Sequence, residues 1–310
     1  MNTLDLMTRL KGFARALGVR GVRTVRGEKS EAEKYWTLAF EQGGITTWMS
    51  EEKCRRAANR MVTGSGDEWP MEWFGRVYAG SPFSTGLSLG CGDGALERDV
   101  RKKEICREIV GVDLSEGALR IAADEAAKEN LDGITYQRGD FNRLDLPQDR
   151  YDVVFFHQAM HHVAELEHCI GQIQKTLKPG GFFYLDEYVG PSRTEWRDDL
   201  VSDANTHLQS IPKKIRRCGS VPFPIEEDDP SEAIRSSEIV PLVSQRFDVI
   251  EQRDYGGNLL ALIHPLVKWD VIDDTTRERI LDDLVSGEKA LLEAGAPSYY
   301  TVIVARNRGD

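Results

Sequence analysis

The chain has 310 residues, of which 40% are hydrophobic and 29% charged, and its formal net charge is −11. This acidic balance argues against a nucleic-acid partner, because phosphates and an acidic surface repel each other. No run approaches the roughly 20 apolar residues of a membrane span, and the N-terminus lacks the features of a signal peptide. The five cysteines are scattered and odd in number, which favours reduced thiols in the cytoplasm. We therefore expect a cytoplasmic protein without a membrane partner.

Residues 1–80 have helical spacing of apolar side chains and are predicted to form an N-terminal helical cap. Leu4, Met7, Leu10 and Phe13 share one face of a first helix. A later helix is expected to begin at Ser50 as N-cap, and another at Pro70, because a first helical turn tolerates proline. The aromatic residues of this region are expected mainly to pack the helices onto the core, with substrate contact as the alternative. They are Tyr35, Trp36, Trp48, Trp69, Trp73 and Phe74.

Strands and helices alternate from residue 86 onward, which predicts a parallel α/β sheet. Within a core over 81–190, the predicted strands are 86–90, 109–113, 134–137, 151–156 and 181–187, and the predicted helices are 94–103, 115–129 and 164–177. The polar, proline-rich segment 191–237 is interpreted as an insertion that forms a lid over the active site. Residues 238–310 are expected to complete the sheet. In this part and just before it, the predictions are a helix over 231–244, a strand over 247–251, helical stretches over 258–294 and a last strand over 300–305.

A glycine-rich loop follows the first predicted strand and is expected to bind a nucleotide-like ligand. Gly90, Gly92 and Gly94 are spaced two apart, and a helix begins at Ala95. Glycine permits a tight turn and a close approach of backbone to ligand. The same residues also fit the dinucleotide pattern G-x-G-x-x-G/A, so the loop alone leaves a nicotinamide-dependent oxidoreductase open.

Five segments, which follow one another along the chain, help to decide which ligand the glycine-rich loop binds. They are LSLGCGDGALE, IVGVDLS, GDFNRL, YDVVFFHQAMHHV and LKPGGFFYLDEYVG. Together they resemble class I S-adenosylmethionine-dependent methyltransferases over about residues 80–190. The resemblance implies a doubly wound, Rossmann-like sheet of seven strands, mostly parallel with an antiparallel last strand. It also implies S-adenosyl-L-methionine as the cofactor.

The resemblance implies cofactor contacts at the carboxyl ends of several strands. Asp113, 19 residues beyond Gly94, is expected to bind the ribose hydroxyls, although an acid at a helix N-terminus is an alternative role. Asp140 is expected to accept a hydrogen bond from the adenine amino group, and Phe141 to cover the ring. The full set of expected cofactor residues is Gly90, Cys91, Gly92, Gly94, Asp113, Leu114, Asp140, Phe141 and His157.

The sequence departs from the family at one position of the loop. The family often carries an acid two residues before the first glycine, where it supports the loop and the methionine ammonium, and this chain has Ser88 there. Glu97 is expected to be a poor substitute because of its position in the following helix.

Candidates for a general base follow the fourth and fifth strands. His157, His161 and His162 are candidates because histidine titrates near neutral pH, and Glu187 is a comparable candidate. Asp186 and Tyr188 are their neighbours. A structural role is the alternative for the His-His pair and for Glu187. His157 and His161 have i, i+4 spacing, but no metal is predicted, since a firmer set of ligands would be needed.

The predicted activity is methyl transfer from S-adenosylmethionine to a small-molecule acceptor rather than to a polymer. A hydroxyl oxygen is favoured, such as that of a sugar or natural product. Nitrogen and carbon acceptors are less expected. The alternatives are a nicotinamide-dependent oxidoreductase and a non-catalytic S-adenosylmethionine-binding protein. The sequence does not fix the oligomeric state and leaves a homo-oligomer open.

Overall fold

Seven strands form a single mixed sheet in the computed structural model, which describes residues 31–41, 47–225 and 229–309. The strand order is β3-β2-β1-β4-β5-β7-β6, and only β7 runs antiparallel to its neighbours. The predicted fold class is confirmed. The strands are β1 Phe83–Leu89, β2 Cys106–Asp113, β3 Ile134–Arg138, β4 Tyr151–His157, β5 Leu177–Tyr188, β6 Phe247–Gly256 and β7 Tyr300–Asn307.

Helices cover both faces of this sheet. In the described part of the chain they are α1 Glu31–Glu41, α2 Glu52–Thr63, α3 Pro70–Tyr78, α4 Ala95–Lys102, α5 Glu116–Lys128, α6 Leu166–Thr176, α7 Ser202–Ser210, α8 Ile239–Arg246, α9 Leu260–Ile263 and α10 Asp274–Glu293. None of the described helices is long and apolar enough to cross a lipid bilayer. The helix predicted around Leu4 to Phe13 lies outside the described residues.

Two helix boundaries differ from the predictions for local reasons. Ser50 ends a 3-10 turn that begins at Trp48, and the N-cap of α2 is Glu51. The helix predicted over 231–244 begins only at Ile239. Pro241 then falls in the first turn of α8, where the backbone N–H groups have no partner within the helix and a proline costs little. Pro70 is the first residue of α3, as predicted.

The hydrophobic core lies in two layers, one on each face of the sheet. Phe155 and Tyr184 belong to the layer that contains the aromatic side chains of α3, whereas Phe156 and Phe183 point into the opposite layer. This alternation buries β4 and β5 on both faces, as expected for central strands. Because β1, β2, β4 and β5 are parallel neighbours, their carboxyl ends meet at one edge of the sheet.

Two flanking segments approach this edge. In α1, Thr37 Oγ1 is 2.9 Å from Ser115 Oγ, which joins the helix to the start of α5. The 191–237 segment follows β5 and returns to the same edge, where Ile234 N donates to the carbonyl of His161 at 3.1 Å. The assignment of these two segments as cap and lid stays a prediction.

Candidate functional site

The glycine-rich loop is fastened to the end of β2. The N–H groups of Gly90 and Cys91 both donate to the carbonyl of Val112, at 2.8 and 3.2 Å. Gly90 has φ +75°, and a Cβ at this position would collide with the side chain of Ala159 in the loop after β4. Glycine is therefore required here by both conformation and space. The Cys91 thiol is buried, and burial raises its pKa well above the ordinary value, which favours the protonated thiol.

The middle of the loop lies between β2 and α1. Gly92 N donates to Asp113 Oδ2 at 3.0 Å, and a Cβ at Gly92 would lie 2.7 Å from Cζ of Phe40. Gly94 has φ +78° and serves as the N-cap residue of α4. The Asp113 carboxylate thus holds the loop on the β2 side, and the ring of Phe40 in α1 packs against Gly92.

Asp113 connects the glycine-rich loop to the first turn of α5. Its Oδ1 accepts from Ser115 N at 2.8 Å, while its Oδ2 accepts from Gly92 N. Burial raises the pKa of the Asp113 carboxyl, and these N–H donors partly offset the rise. Ser115 itself caps α5 by accepting from Ala118 N at 3.1 Å. Leu114 is half-buried, and its carbonyl accepts from Arg138 Nε at 3.2 Å. Ribose binding by Asp113 stays a prediction.

Asp140 and Phe141 lie beyond the end of β3 and are both half-buried. Asp140 Oδ1 accepts from Asn142 N at 3.0 Å, which starts the 3-10 turn Phe141–Arg143. The ring of Phe141 packs edge to face on Phe156 with the centroids 5.4 Å apart. The structure therefore places both residues at the same sheet edge as the glycine-rich loop, and their contact with adenine stays a prediction.

Glu97 lies nearer to the glycine-rich loop than its position in the sequence suggested, and whether it replaces the missing acid stays a prediction. Glu97 is fully buried, and its carboxylate lies beside the Ser88 hydroxyl at the base of the loop. Burial raises the pKa of Glu97 to about 7, although the Ser88 hydroxyl lowers it in part. Neither carboxylate oxygen has a hydrogen bond of normal geometry within the described residues. The helical turn after Gly94 brings the side chain back under the loop, which linear distance from the glycines does not reveal.

His157 and Asp186 are direct neighbours on β4 and β5. His157 Nε2 lies 3.7 Å from Asp186 Oδ2, with the imidazole 45% exposed and the carboxylate nearly buried. Asp186 is held from the other side by the hydroxyl of Tyr255, which donates to Oδ1 at 2.5 Å, and by Gln158 Nε2 at 3.3 Å. Burial raises the pKa of Asp186, and the neighbouring His157 partly offsets this. The exposed imidazole of His157 thus lies next to the Asp186 carboxylate, whose position is held by hydrogen bonds.

Glu187 is directed away from solvent and organises the loop after β4. Its Oε2 accepts from the N–H groups of Ala159 and Met160, at 2.9 and 2.5 Å. Its Oε1 accepts from Tyr188 N at 2.6 Å and lies 2.5 Å from Nδ1 of His161. All four contacts are internal and the side chain is fully buried. This geometry favours the structural alternative for Glu187 over the role of general base.

His161 and His162 face the insertion. Glu232 Oε2 lies 3.5 Å from the Nε2 atoms of both histidines, and Asp229 Oδ2 lies 3.5 Å from Nδ1 of His162. Burial by itself lowers the pKa of His161, but the carboxylates of Glu187 and Glu232 raise it well above the ordinary value. Within the described residues, His161, His162 and Glu232 also form a group whose ligand atoms lie within 4.8 Å of one another. The i, i+4 pair suggested by the sequence, His157 and His161, does not converge in this way.

Comparison with known proteins assigns the chain to a family. A family model described as "Methyltransferase domain" matches residues 84–250, more than half of the chain and all of the glycine-rich loop, β2, β4 and β5. The chain belongs to this methyltransferase family. The predicted class I S-adenosylmethionine-dependent superfamily and its cofactor are thereby confirmed, and the nicotinamide alternative is set aside.

Curated relatives match this methyltransferase over part of their length. The sterol 24-C-methyltransferase ERG6 of Saccharomyces cerevisiae is 28% identical over 160 residues, which cover 51% of this chain and 40% of the relative. The sterol 24-C-methyltransferase of Candida albicans is 36% identical over 104 residues, 33% of this chain and 27% of the relative. The matches thus span less than half the length of these curated relatives.

Solved structures share the fold of the methyltransferase at low sequence identity. The [4+2]-cyclase SpnF has a TM-score of 0.52 and 14% identity, with 94% of this chain and 99% of that chain covered. A protein of Haloferax volcanii solved with the Trm112 methyltransferase activator has a TM-score of 0.52 and 17% identity, covering 91% and 99%. These likenesses concern the fold alone.

The site of this methyltransferase fits S-adenosylmethionine on two observations. The Asp113 carboxylate stands at the end of β2, where a ribose is bound in nucleotide-binding sheets. The Glu97 carboxylate is buried without a regular hydrogen bond, which suits a cationic partner. The residues expected to hold the cofactor are therefore Gly90, Gly92, Asp113 and Glu97.

Sequence reasoning missed several polar residues of the methyltransferase site. Glu97 shares the buried face of α4 with Val100 at i, i+3 spacing, and a carboxylate on an apolar helix face was the available signal. Tyr255, from β6, had no comparable signal, because its contact with Asp186 joins residues 69 positions apart. Glu232 had no comparable signal either, because its contacts with His161 and His162 join residues 71 and 70 positions apart.

Proposed function

We propose that the protein transfers a methyl group from S-adenosylmethionine to a hydroxyl oxygen of a small molecule, with His157 as the general base. The observation that carries this proposal is the contact between the exposed imidazole of His157 and the buried carboxylate of Asp186. A base of this kind must reach the acceptor and must stabilise the proton it takes. His157 meets the first condition by exposure and the second through Asp186.

The bound cofactor supplies an electrophilic methyl group on a sulfonium, so the protein has to position the acceptor and accept its proton. His157 is the last residue of β4, which is the neighbour of β1, and the loop after it lies against Gly90 through Ala159. The base is therefore close to the glycine-rich loop. An acceptor hydroxyl held between them would give its proton to the imidazole, and the resulting imidazolium would pair with Asp186.

Asp186 is a positioning residue in this proposal. The Tyr255 hydroxyl and the Gln158 amide donate to Oδ1, whereas Oδ2 accepts from the Tyr184 hydroxyl at 3.4 Å and lies 3.7 Å from His157 Nε2. Gln158 adopts φ +50°, an uncommon conformation for a residue with a side chain. The backbone of Gln158 is fixed there because its N–H donates to the Asp186 carbonyl at 2.8 Å. These contacts hold the Asp186 carboxylate in place next to the imidazole.

His161, His162 and Glu187 are less suited to the role of base. Both histidines are largely buried, and Glu187 already accepts hydrogen bonds at both oxygens. A group without access to the acceptor cannot remove its proton during the displacement. We therefore assign these three residues to the support of the loop after β4.

A carbon acceptor is the second candidate, because the names of the curated relatives describe methylation at a sterol carbon. Methylation of a carbon–carbon double bond leaves a cation that must lose a proton. The same His157 could accept that proton, so the base assignment serves both acceptor atoms. The two candidates differ in the acceptor and not in the position of the base.

The test combines cofactor binding with an acceptor screen. Calorimetric titration with S-adenosylhomocysteine is expected to show one site per chain, and parallel titration with NADH to show none. Labelled S-adenosylmethionine is then incubated with phenols, sugars and other hydroxyl compounds, and separately with sterols and isoprenoid alkenes. Label in hydroxyl products supports the first candidate and label in alkene products the second. Cofactor binding without label in any product over a broad panel would support the non-catalytic alternative and overturn the proposal.

A further inference from the structure

A cluster of His161, His162 and Glu232 joins the insertion to the loop after β4. The histidines belong to the 3-10 turn Met160–His162, and Glu232 lies 70 residues later, beyond the long polar part of the insertion. Glu232 Oε2 is 3.5 Å from Nε2 of His161 and 3.5 Å from Nε2 of His162. This distance is close to the roughly 3.4 Å between two ligand atoms around a tetrahedral ion with bonds of about 2.1 Å.

Both histidines have their other ring nitrogen held by a polar group. Nδ1 of His161 lies 2.5 Å from Glu187 Oε1, and Nδ1 of His162 lies 3.2 Å from the Ser231 hydroxyl. Histidine ligands of metals usually donate their second nitrogen to a carboxylate or another acceptor, which fixes the tautomer and directs the free nitrogen to the ion. The cluster has this arrangement at both imidazoles.

Two buried polar atoms of the cluster and its surroundings have no hydrogen-bond partner in the described part of the chain. Nε2 of His162 is buried and has no hydrogen-bond partner within the described residues. Asp229 Oδ2, close to the same ring, is likewise buried without one. Buried polar atoms of this kind are uncommon and call for a partner. Glu232 is 33% exposed, so the cluster is open to solvent on one side and an ion can enter.

We propose that His161, His162 and Glu232 bind one divalent first-row transition metal ion, with Zn²⁺ as the representative ion. Two imidazoles and one carboxylate are a ligand set used by zinc sites and by non-haem iron sites. The ion would connect the 229–232 part of the insertion to the loop that carries Ala159 and borders Gly90. It would thereby fix the insertion against the acceptor side of the site.

The first experiment measures metal binding without any assay of turnover. The untagged full chain is dialysed against EDTA and then against metal-free buffer, and Zn²⁺ is titrated in competition with a chromogenic chelator. We expect one equivalent per chain. The Glu232→Gln and His162→Gln variants should bind at least about ten-fold more weakly, because each removes a direct ligand. Glu232 is partly exposed, so its variant is expected to fold.

Matched controls separate this cluster from adventitious binding. Glu165→Gln removes an exposed carboxylate from the same loop, and Cys218→Ser removes the least buried thiol in the described part of the chain. Both should bind Zn²⁺ like the unaltered protein. If the unaltered protein binds no Zn²⁺, or if Glu232→Gln binds it as tightly as Glu165→Gln does, the proposal is overturned.

Two further measurements test the coordination of the bound ion and its stabilisation of the folded protein. Co²⁺ bound to the unaltered protein should give the intense visible absorption of a four- or five-coordinate ion, and Glu232→Gln should lose it. Zn²⁺ should raise the thermal midpoint of the unaltered protein and of Glu165→Gln but not that of Glu232→Gln, because only an ion bound at the cluster stabilises the folded state. An equal shift in all three proteins would contradict the assignment.

Discussion

The buried carboxylate of Glu97 lies beside the hydroxyl of Ser88 at the base of the glycine-rich loop. Ser88 occupies the position at which related methyltransferases often have an acid. Glu97 lies in the first turn of α4, and its carboxyl group is next to the smaller serine side chain. The loop can therefore lack an acid at the end of β1 and still have a carboxyl group at its base, which a bound cation would hold ionised.

Glu97 should make the stability of the cofactor-free protein depend on pH. Its pKa is raised to about 7, above the ordinary value of 4.5, so the folded state binds the proton more tightly than the unfolded state. The contribution is fully present below about pH 4.5 and is lost as the pH rises through about 7. The loss should amount to roughly 3 kcal/mol of unfolding free energy.

Urea unfolding at several pH values of the protein and of Glu97→Gln measures this contribution, since glutamine cannot titrate. The variant should gain stability relative to the unaltered protein as the pH rises, and Asp99→Asn on the exposed face of the same helix should not. A constant difference between Glu97→Gln and the unaltered protein from pH 4 to 8 would contradict the assigned pKa.

The same substitution should weaken cofactor binding. If the Glu97 carboxylate faces the ammonium of the cofactor, its replacement removes a charge-assisted contact and affinity should fall by about ten- to a hundred-fold. Binding should also release a proton near pH 6.5, because a cation beside Glu97 lowers its pKa. Titration with S-adenosylhomocysteine in buffers of different ionisation enthalpy detects that proton. Equal affinity in Glu97→Gln and Asp99→Asn would show that another group binds the ammonium.

Asp113 is predicted to serve both the loop and the cofactor. Asp113→Ala removes the acceptor for Gly92 N and the expected ribose ligand, so the affinity for S-adenosylhomocysteine should fall by a hundred-fold or more, about 3 kcal/mol. Glu116→Ala is the matched control, since this exposed acid lies in the first turn of the same helix. Calorimetry provides the affinities and circular dichroism checks the fold. Undiminished binding by a folded Asp113→Ala protein would refute the ribose assignment.

His157 should affect turnover more than cofactor affinity. With an acceptor found in the screen, His157→Ala should lower kcat by about 10²- to 10⁴-fold, the usual effect of losing a general base. Asp186→Asn should give a smaller loss, because it alters the support of the imidazole and leaves the imidazole in place. Single-turnover rates and separate cofactor titrations distinguish the two effects. A normal rate in His157→Ala would direct attention to the insertion and to His162.

Much of the fold followed from local sequence signals. Alternating apolar strands and amphipathic helices predicted the parallel part of the sheet, and the helix boundaries at α4, α5 and α6 lie within two residues of the predicted ones. Pro70 marked the start of α3 correctly. The least accurate prediction was the start of α8, because a proline in a first helical turn and one inside a helix have different consequences that the sequence does not distinguish.

The candidate site was predictable only where its residues directly follow strands. Asp113 and His157 end β2 and β4, and parallel strands bring such residues to one edge whatever the details of packing. The location of Glu97 next to Ser88 was not predictable, because it depends on the rotation of α4 against β1. The functions of His161 and Glu187 remained open because exposure, which decides whether a side chain can meet a substrate, is not a local property.

By itself the sequence determined the order of strands and helices, the glycine-rich loop and the family, since these depend on periodicity and on residues close together in the chain. Only the tertiary structure decided which polar and charged side chains lie close together. Glu97 lies under Ser88, Tyr255 holds Asp186, and Glu232 faces His161 and His162. These contacts depend on distances of a few ångströms between residues up to 71 positions apart. Such distances are set only by the way in which the helices and the insertion pack on the sheet.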